Sequence, residues 1–159
     1  MVTIRPIRVY ADTSVYGGVF DDEFARTSRR FFDEVRAGRF RLVVSPLVRD
    51  ELDDAPGPLR ALLDSVRVGA EIVDVTQEAV RLQQAYLAAS IVAARWETDA
   101  LHVAIATVSG CPLIVSWNFR HIVSFERIPL YNGVNLSKGY GTVAIHTPQE
   151  VVVHEDEDL

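Results

Sequence analysis

Apolar positions along this chain fall into short β-branched runs separated by longer stretches of helical period. Residues 7–11, 41–44, 71–75, 113–116 and 142–146 have the run length and composition of strands. Residues 22–38 read as a helix, with Phe24, Phe31, Phe32 and Val35 on its apolar side and Gly38 as its stop. Ser45-Pro46 has the form of an N-cap followed by proline at the first helical position, and the helix it opens runs through Asp53. Ala55-Pro56-Gly57-Pro58 breaks that helix, and residues 59–66 form another short one. Thr76 with Glu78 opens a helix reaching about Ser90, and residues 97–109 give a further helix ended by Gly110. Residues 119–123 and 125–130 are expected as helical fragments, and the end of the chain as polar.

Strands that alternate with helices predict a three-layer α/β/α sandwich around a parallel sheet of four or five strands. In such sheets, ligands bind beyond the carboxyl ends of the strands. The chain carries no repeat and no linker rich in Pro, Gly or Ser. Residues 1–152 therefore read as one domain and residues 153–159 as an acidic tail.

Composition narrows the class. The chain has 159 residues, enough to bury a core without covalent staples, and its 48% hydrophobic and 24% charged residues suit a soluble globular protein. Its single cysteine, Cys111, allows neither an intramolecular disulfide nor a thiolate metal cluster, so a reducing cytoplasm is expected. The first ten residues lack the apolar core of a signal peptide. Residues 100–119 carry no formal charge, but His102, Gly110, Pro112 and Asn118 make them a buried helix, a turn and a strand rather than a membrane span. The net charge of −6 argues against binding nucleic acid mainly through a basic surface. Glu155-Asp156-Glu157-Asp158 supply four of those charges, and Lys138 is the only lysine among the bases.

Candidate chemistry gathers at the strand ends. Asp12 directly follows the first strand and has Thr13 and Ser14 beside it; an N-cap would be its structural role. Glu51 lies one turn beyond Leu47, away from an obvious solvent face, and its structural role would be an exposed pair with a nearby arginine. Asp99 opens a helix that is apolar nearly all round, where a carboxylate is costly unless it is paired, hydrogen-bonded or bound to a cation. Asn118 follows the fourth strand, where it either makes an Asx-turn or completes a polar site. Three acids and an amide at separate strand–helix junctions can converge on one crevice. Carboxylates held together there need a cation, and an all-oxygen ligand set suits Mg²⁺ or Mn²⁺. His102 and His121 with Arg120 are further candidates, with a core histidine and a helix end as their structural roles. Trp96 and Trp117 read as core or interface residues rather than base-stacking platforms.

These pieces together resemble a PIN domain, the nuclease fold of VapC-type toxins from bacterial and archaeal toxin–antitoxin pairs. The matching segments are Val9-Tyr10-Ala11-Asp12-Thr13-Ser14, Ser45-Pro46 to Glu51-Leu52, Asp99-Ala100-Leu101-His102-Val103-Ala104 and Ser116-Trp117-Asn118-Phe119-Arg120-His121-Ile122. Tyr131-Asn132-Gly133-Val134-Asn135 and Thr147-Pro148-Gln149-Glu150-Val151 resemble the endings of one PIN branch. The resemblance implies a metal-dependent endoribonuclease with Asp12, Glu51 and Asp99 as Mg²⁺ or Mn²⁺ ligands. It places Thr13 and Ser14 at the family's hydroxyl position next to the first aspartate. Asn118 stands where many members carry a fourth acid. An antitoxin, a homodimer and an RNA substrate are the implied partners. The rival expectations are a PIN-like RNA- or protein-binding module with impaired catalysis, and a metal-dependent phosphatase acting on small molecules.

Overall fold

A computed structural model describes residues 5–154; of the acidic tail expected at 153–159, residues 155–159 lie outside the described residues. Five strands form one parallel sheet in the order β3-β2-β1-β4-β5: β1 (Ile7–Ala11), β2 (Phe40–Val44), β3 (Glu71–Ile72), β4 (Leu113–Val115) and β5 (Ala144–His146). Val9 pairs with Leu42 on one side and Leu113 on the other, so β1 is central. It is buried on both faces: Val9, Tyr10 and Ala11 are all inaccessible to solvent. A fully parallel sheet needs this double cover, which explains why its strands read as apolar runs without alternation.

The helices sort into two layers. Helices α1 (Thr13–Gly18), α2 (Ala25–Arg36), α3 (Pro46–Asp53), α4 (Gly57–Arg67) and α8 (Pro148–Val151) contact one another on one side. Helices α5 (Gln77–Ala88), α6 (Glu97–Val108) and α7 (Arg127–Ser137) pack together on the other, with a 3-10 turn (Ala94–Trp96) leading into α6. This is the sandwich expected from the sequence. Ser45 caps α3 by accepting from the Val48 N–H, and Thr76 caps α5 by accepting from the Ala79 N–H. Gly38 takes a left-handed φ of +87° just past α2, the conformation for which glycine ends helices. Residues 100–119 form most of α6, a turn, β4 and the start of the next loop, and among the described residues no helix is long and apolar enough to cross a membrane.

Three local expectations are corrected. Residues 119–123 form a turn rather than a helix: the Ile122 N–H makes one helical-type bond to the Asn118 carbonyl, but the Val123 N–H shares that carbonyl instead of advancing to residue 119, so the ladder stops. The helical fragment expected at 125–130 is instead α7, which begins at Arg127 and continues through Asn132-Gly133 to Ser137. Tertiary bonds override the weak local propensity there: Asn132 exchanges two hydrogen bonds with the Val143 backbone, and buried Asn135 accepts from the Tyr86 hydroxyl. The polar end contains the short helix α8, closed by a capping box between Thr147 and Glu150.

Candidate active site

The strand order places β1 between β2, reached first, and β4, reached only after the chain has crossed to the other side of the sheet. That reversal makes the carboxyl ends of β1 and β4 the switch point of the sheet, the place where ligands of such sheets bind. Asp12 lies there, immediately after β1, and its backbone N–H bonds the Val115 carbonyl at the end of β4. Its position is the N-cap of α1, but its side chain makes no capping bond. Oδ1 instead accepts from Ser14 Oγ at 2.5 Å, and Oδ2 from Ser116 Oγ at 3.0 Å. Those two hydroxyls are themselves fixed by the backbone N–H groups of Trp117 and Asn118. Asp12 is only 4% exposed. Burial raises its pKa above the usual value; the positive charge of a protonated His102 and the two serine hydroxyls pull it down, and the charge of Asp99 adds a further upward push.

Glu51 arrives from the last turn of α3. Among the described residues it pairs with no arginine: Arg49 pairs with Asp50 instead. Glu51 Oε1 accepts from His102 Nε2 at 2.6 Å and from Thr13 Oγ1 at 3.0 Å. Burial alone would raise the Glu51 carboxyl, but the hydrogen bond and charge of His102 and the hydrogen bond of Thr13 outweigh it and hold the pKa below its usual value.

Asp99 occupies the first turn of α6, whose following residues Ala100 and His102 to Thr107 are buried. It makes no N-cap bond; its Oδ2 accepts from His121 Nδ1 at 2.8 Å. Trp96 packs over the His121 ring with centroids 4.7 Å apart. Asn118 Oδ1 accepts from the His121 backbone N–H at 3.0 Å, so the amide shapes the turn that presents His121 to Asp99. Thr13 and Ser14 thus bond Glu51 and Asp12 respectively, each holding one acid by a hydroxyl.

Sequence reasoning did not single out Ser116, which holds Asp12 from the neighbouring strand, or Tyr10, whose hydroxyl bonds His102. Both lay within the quoted segments, but strand residues show their cross-sheet partners only once the register is known. The sequence leaves His102 and His121 open between site and structural roles. Each is buried and hydrogen-bonded, and each holds a carboxylate.

The donor chemistry of Asp12, Glu51 and Asp99 fits a hard divalent ion, since all three offer carboxylate oxygens and Asp12 is a desolvated acid sensing the charge of Asp99. Among the described residues, no three His, Cys, Asp or Glu side chains converge closely enough to hold an ion; Glu51 and Asp99 each face a histidine.

No protein-family model matches the sequence, and no curated protein matches it. Solved structures do match. A chain in the structure of DNA-bound VapBC from Salmonella typhimurium superposes with a TM-score of 0.55 at 19% identity, over 89% of this chain and 98% of that one. A chain in the structure of VapBC2 from Rickettsia felis, bound to a DNA fragment from their promoter, gives a TM-score of 0.53 at 12% identity over the same shares. The fold is VapC-like, the PIN-type α/β/α sandwich expected from the sequence.

Proposed function

We propose that this chain is a PIN-domain endoribonuclease that hydrolyses RNA phosphodiester bonds with the help of Mg²⁺ or Mn²⁺. The observation that carries this reading is the buried Asp12 carboxylate at the sheet's switch point, bonded through both oxygens and coupled to the charge of Asp99. Such a group is expensive to keep in a fold for stability alone. Asp12, Glu51 and Asp99 are the residues that would hold the ion, whose positive charge and Lewis acidity would favour attack of water on the phosphate. Ser14 and Ser116 orient Asp12 for that task. Thr13 steadies Glu51, which acts as ligand or as the group orienting the attacking water. Asn118, in the place of a fourth acid, contributes no charge and sets the turn beside Asp99.

The neighbouring structures are VapBC complexes, and this supports an antitoxin as a protein partner that restrains the nuclease. A homodimer and a cytoplasmic setting complete the proposal. The rival reading, a binding module, draws on Asn118 and on the histidine partners that occupy Glu51 and Asp99. The two separate in a cleavage assay with varied RNAs in Mg²⁺ or Mn²⁺, antitoxin absent. The wild type is expected to cut, and Asp12→Ala and Asp99→Asn to lose at least about a hundredfold in rate while remaining folded. Intact RNA throughout would favour the binding module.

A further inference from the structure

We propose that His102, locked in one tautomer by Tyr10, is the positioning residue that fixes Glu51 in the carboxylate site. This rests on the nuclease reading in so far as Glu51 serves an ion or a water there. The geometry forms one continuous relay. The Ser45 hydroxyl oxygen already accepts from the Val48 N–H as the cap of α3, so its own proton is free to donate. The Tyr10 oxygen lies 2.8 Å from it, and 2.7 Å from His102 Nδ1 on the other side. Glu51, as a carboxylate, can only accept, so Nε2 at 2.6 Å from Oε1 carries the ring proton. In a neutral ring Nδ1 then accepts from Tyr10, and Ser45 donates to Tyr10 in turn.

Every hydrogen in this arrangement has an acceptor without requiring a charge on the ring. Tyr10 is wholly buried, and its phenol carries the proton it must donate. His102 is itself 2% exposed. The relay joins β1, the cap of α3 and α6, and Thr13 of α1 donates to the same Glu51 oxygen. Both bonds fall on Oε1, and Oε2 carries neither. Helix α3 thus has its acid held by three other elements rather than by its own rotamer preference, which is how supporting bonds orient ligating carboxylates.

Two substitutions separate positioning from core filling. A glutamine amide nitrogen reaches about as far as His102 Nε2 and can donate to Glu51, whereas asparagine is too short. In calorimetric titration with Mn²⁺, His102→Asn is expected to weaken binding about 10- to 100-fold, with His102→Gln staying within a few-fold of wild type. Equal losses in the two variants would make His102 a packing residue and overturn the proposal. The tautomer gives a test independent of metal and of mutant folding. In ¹⁵N NMR of the metal-free wild type at mildly alkaline pH, Nδ1 is expected bare and Nε2 protonated; a proton on Nδ1 would overturn the relay. Tyr10→Phe is expected to yield a mixture of tautomers, and an unchanged tautomer would show that Tyr10 does not set it. A wild type with no Mn²⁺ affinity would defeat the nuclease reading, and the NMR result would still decide this one.

Discussion

Asp12 shows how one residue can work against the stability of its own fold. Its ordinary pKa is about 3.8, and burial raises the folded value above that. Between the two values the native state binds more protons than the unfolded one, so this residue's contribution to stability falls as pH rises through that interval. Asp12→Asn removes the charge and keeps the shape. Urea denaturation of metal-free protein near neutral pH should therefore find the variant more stable by about 1 kcal/mol, the advantage fading as the pH drops toward the ordinary carboxylate range. Added Mn²⁺ should invert the order, because only the wild type gains binding free energy in its folded state. A variant less stable than wild type without metal would mean that the two serine bonds outweigh desolvation. Glu51 has the opposite sign: its lowered pKa gives stability above the ordinary glutamate value that is lost as pH falls through the folded one. Asn118→Asp can keep the bond to the His121 N–H while adding a charge, so Mn²⁺ binding should be equal or tighter and cleavage equal or faster. Weaker binding in a calorimetric titration would exclude Asn118 from the ion's surroundings.

At the scale of elements, the pair Gly17-Gly18 in α1 makes a sharp contrast. A Cβ at Gly18 would meet Ser28 Oγ at 2.5 Å and Trp117 Nε1 at 2.8 Å, two atoms that hydrogen-bond each other. At Gly17 nothing lies within 4 Å. Gly18→Ala should cost about 1–3 kcal/mol in thermal or urea unfolding, since Ser28 is buried and the α1–α2 contact must open. Gly17→Ala should be neutral or stabilise by up to about 1 kcal/mol, the usual gain from replacing a helical glycine. Similar effects at both positions would refute the close-packing account. Two adjacent glycines carry no local signal of a close approach; the packing role of Gly18 depends on α2 and the loop after β4. The same limit runs through the chain. Strand β1 and helix α3 were legible to the residue because apolar runs and a Ser-Pro cap are local signals. Helix α7 was not, because Asn132 and Asn135 are stabilised by Val143 and Tyr86, remote partners that local pattern cannot show. In the candidate site the acids, Thr13, Ser14 and the two histidines are legible in the sequence, but which acid each one holds, and the parts played by Ser116 and Tyr10, depend on cross-sheet register.

For the whole molecule, topology and charge pull in different directions. Chain reversal about β1 gathers Asp12, the Ser116 that follows β4 and, through His121, Asp99 at one edge of the sheet, which brings two carboxylates to where a polyanion would have to approach. The molecule adds to this with a net charge of −6, four units of which sit at Glu155, Asp156, Glu157 and Asp158. Repulsion of this kind acts at long range and is screened within about 10 Å at 0.1 M salt. Site chemistry acts at contact and is screened far less. Replacing the four acids together by Gln and Asn should therefore tighten RNA binding a few-fold at low ionic strength. The gain should vanish as salt is raised, while Mn²⁺ affinity stays as in the wild type. Binding of a short RNA to catalytically silenced Asp99→Asn protein, followed by fluorescence anisotropy across a salt series, provides the measurement. A gain that persists at high salt would point to direct obstruction by the acidic residues rather than to their field. A simultaneous change in Mn²⁺ affinity would place those residues within reach of the carboxylate site itself.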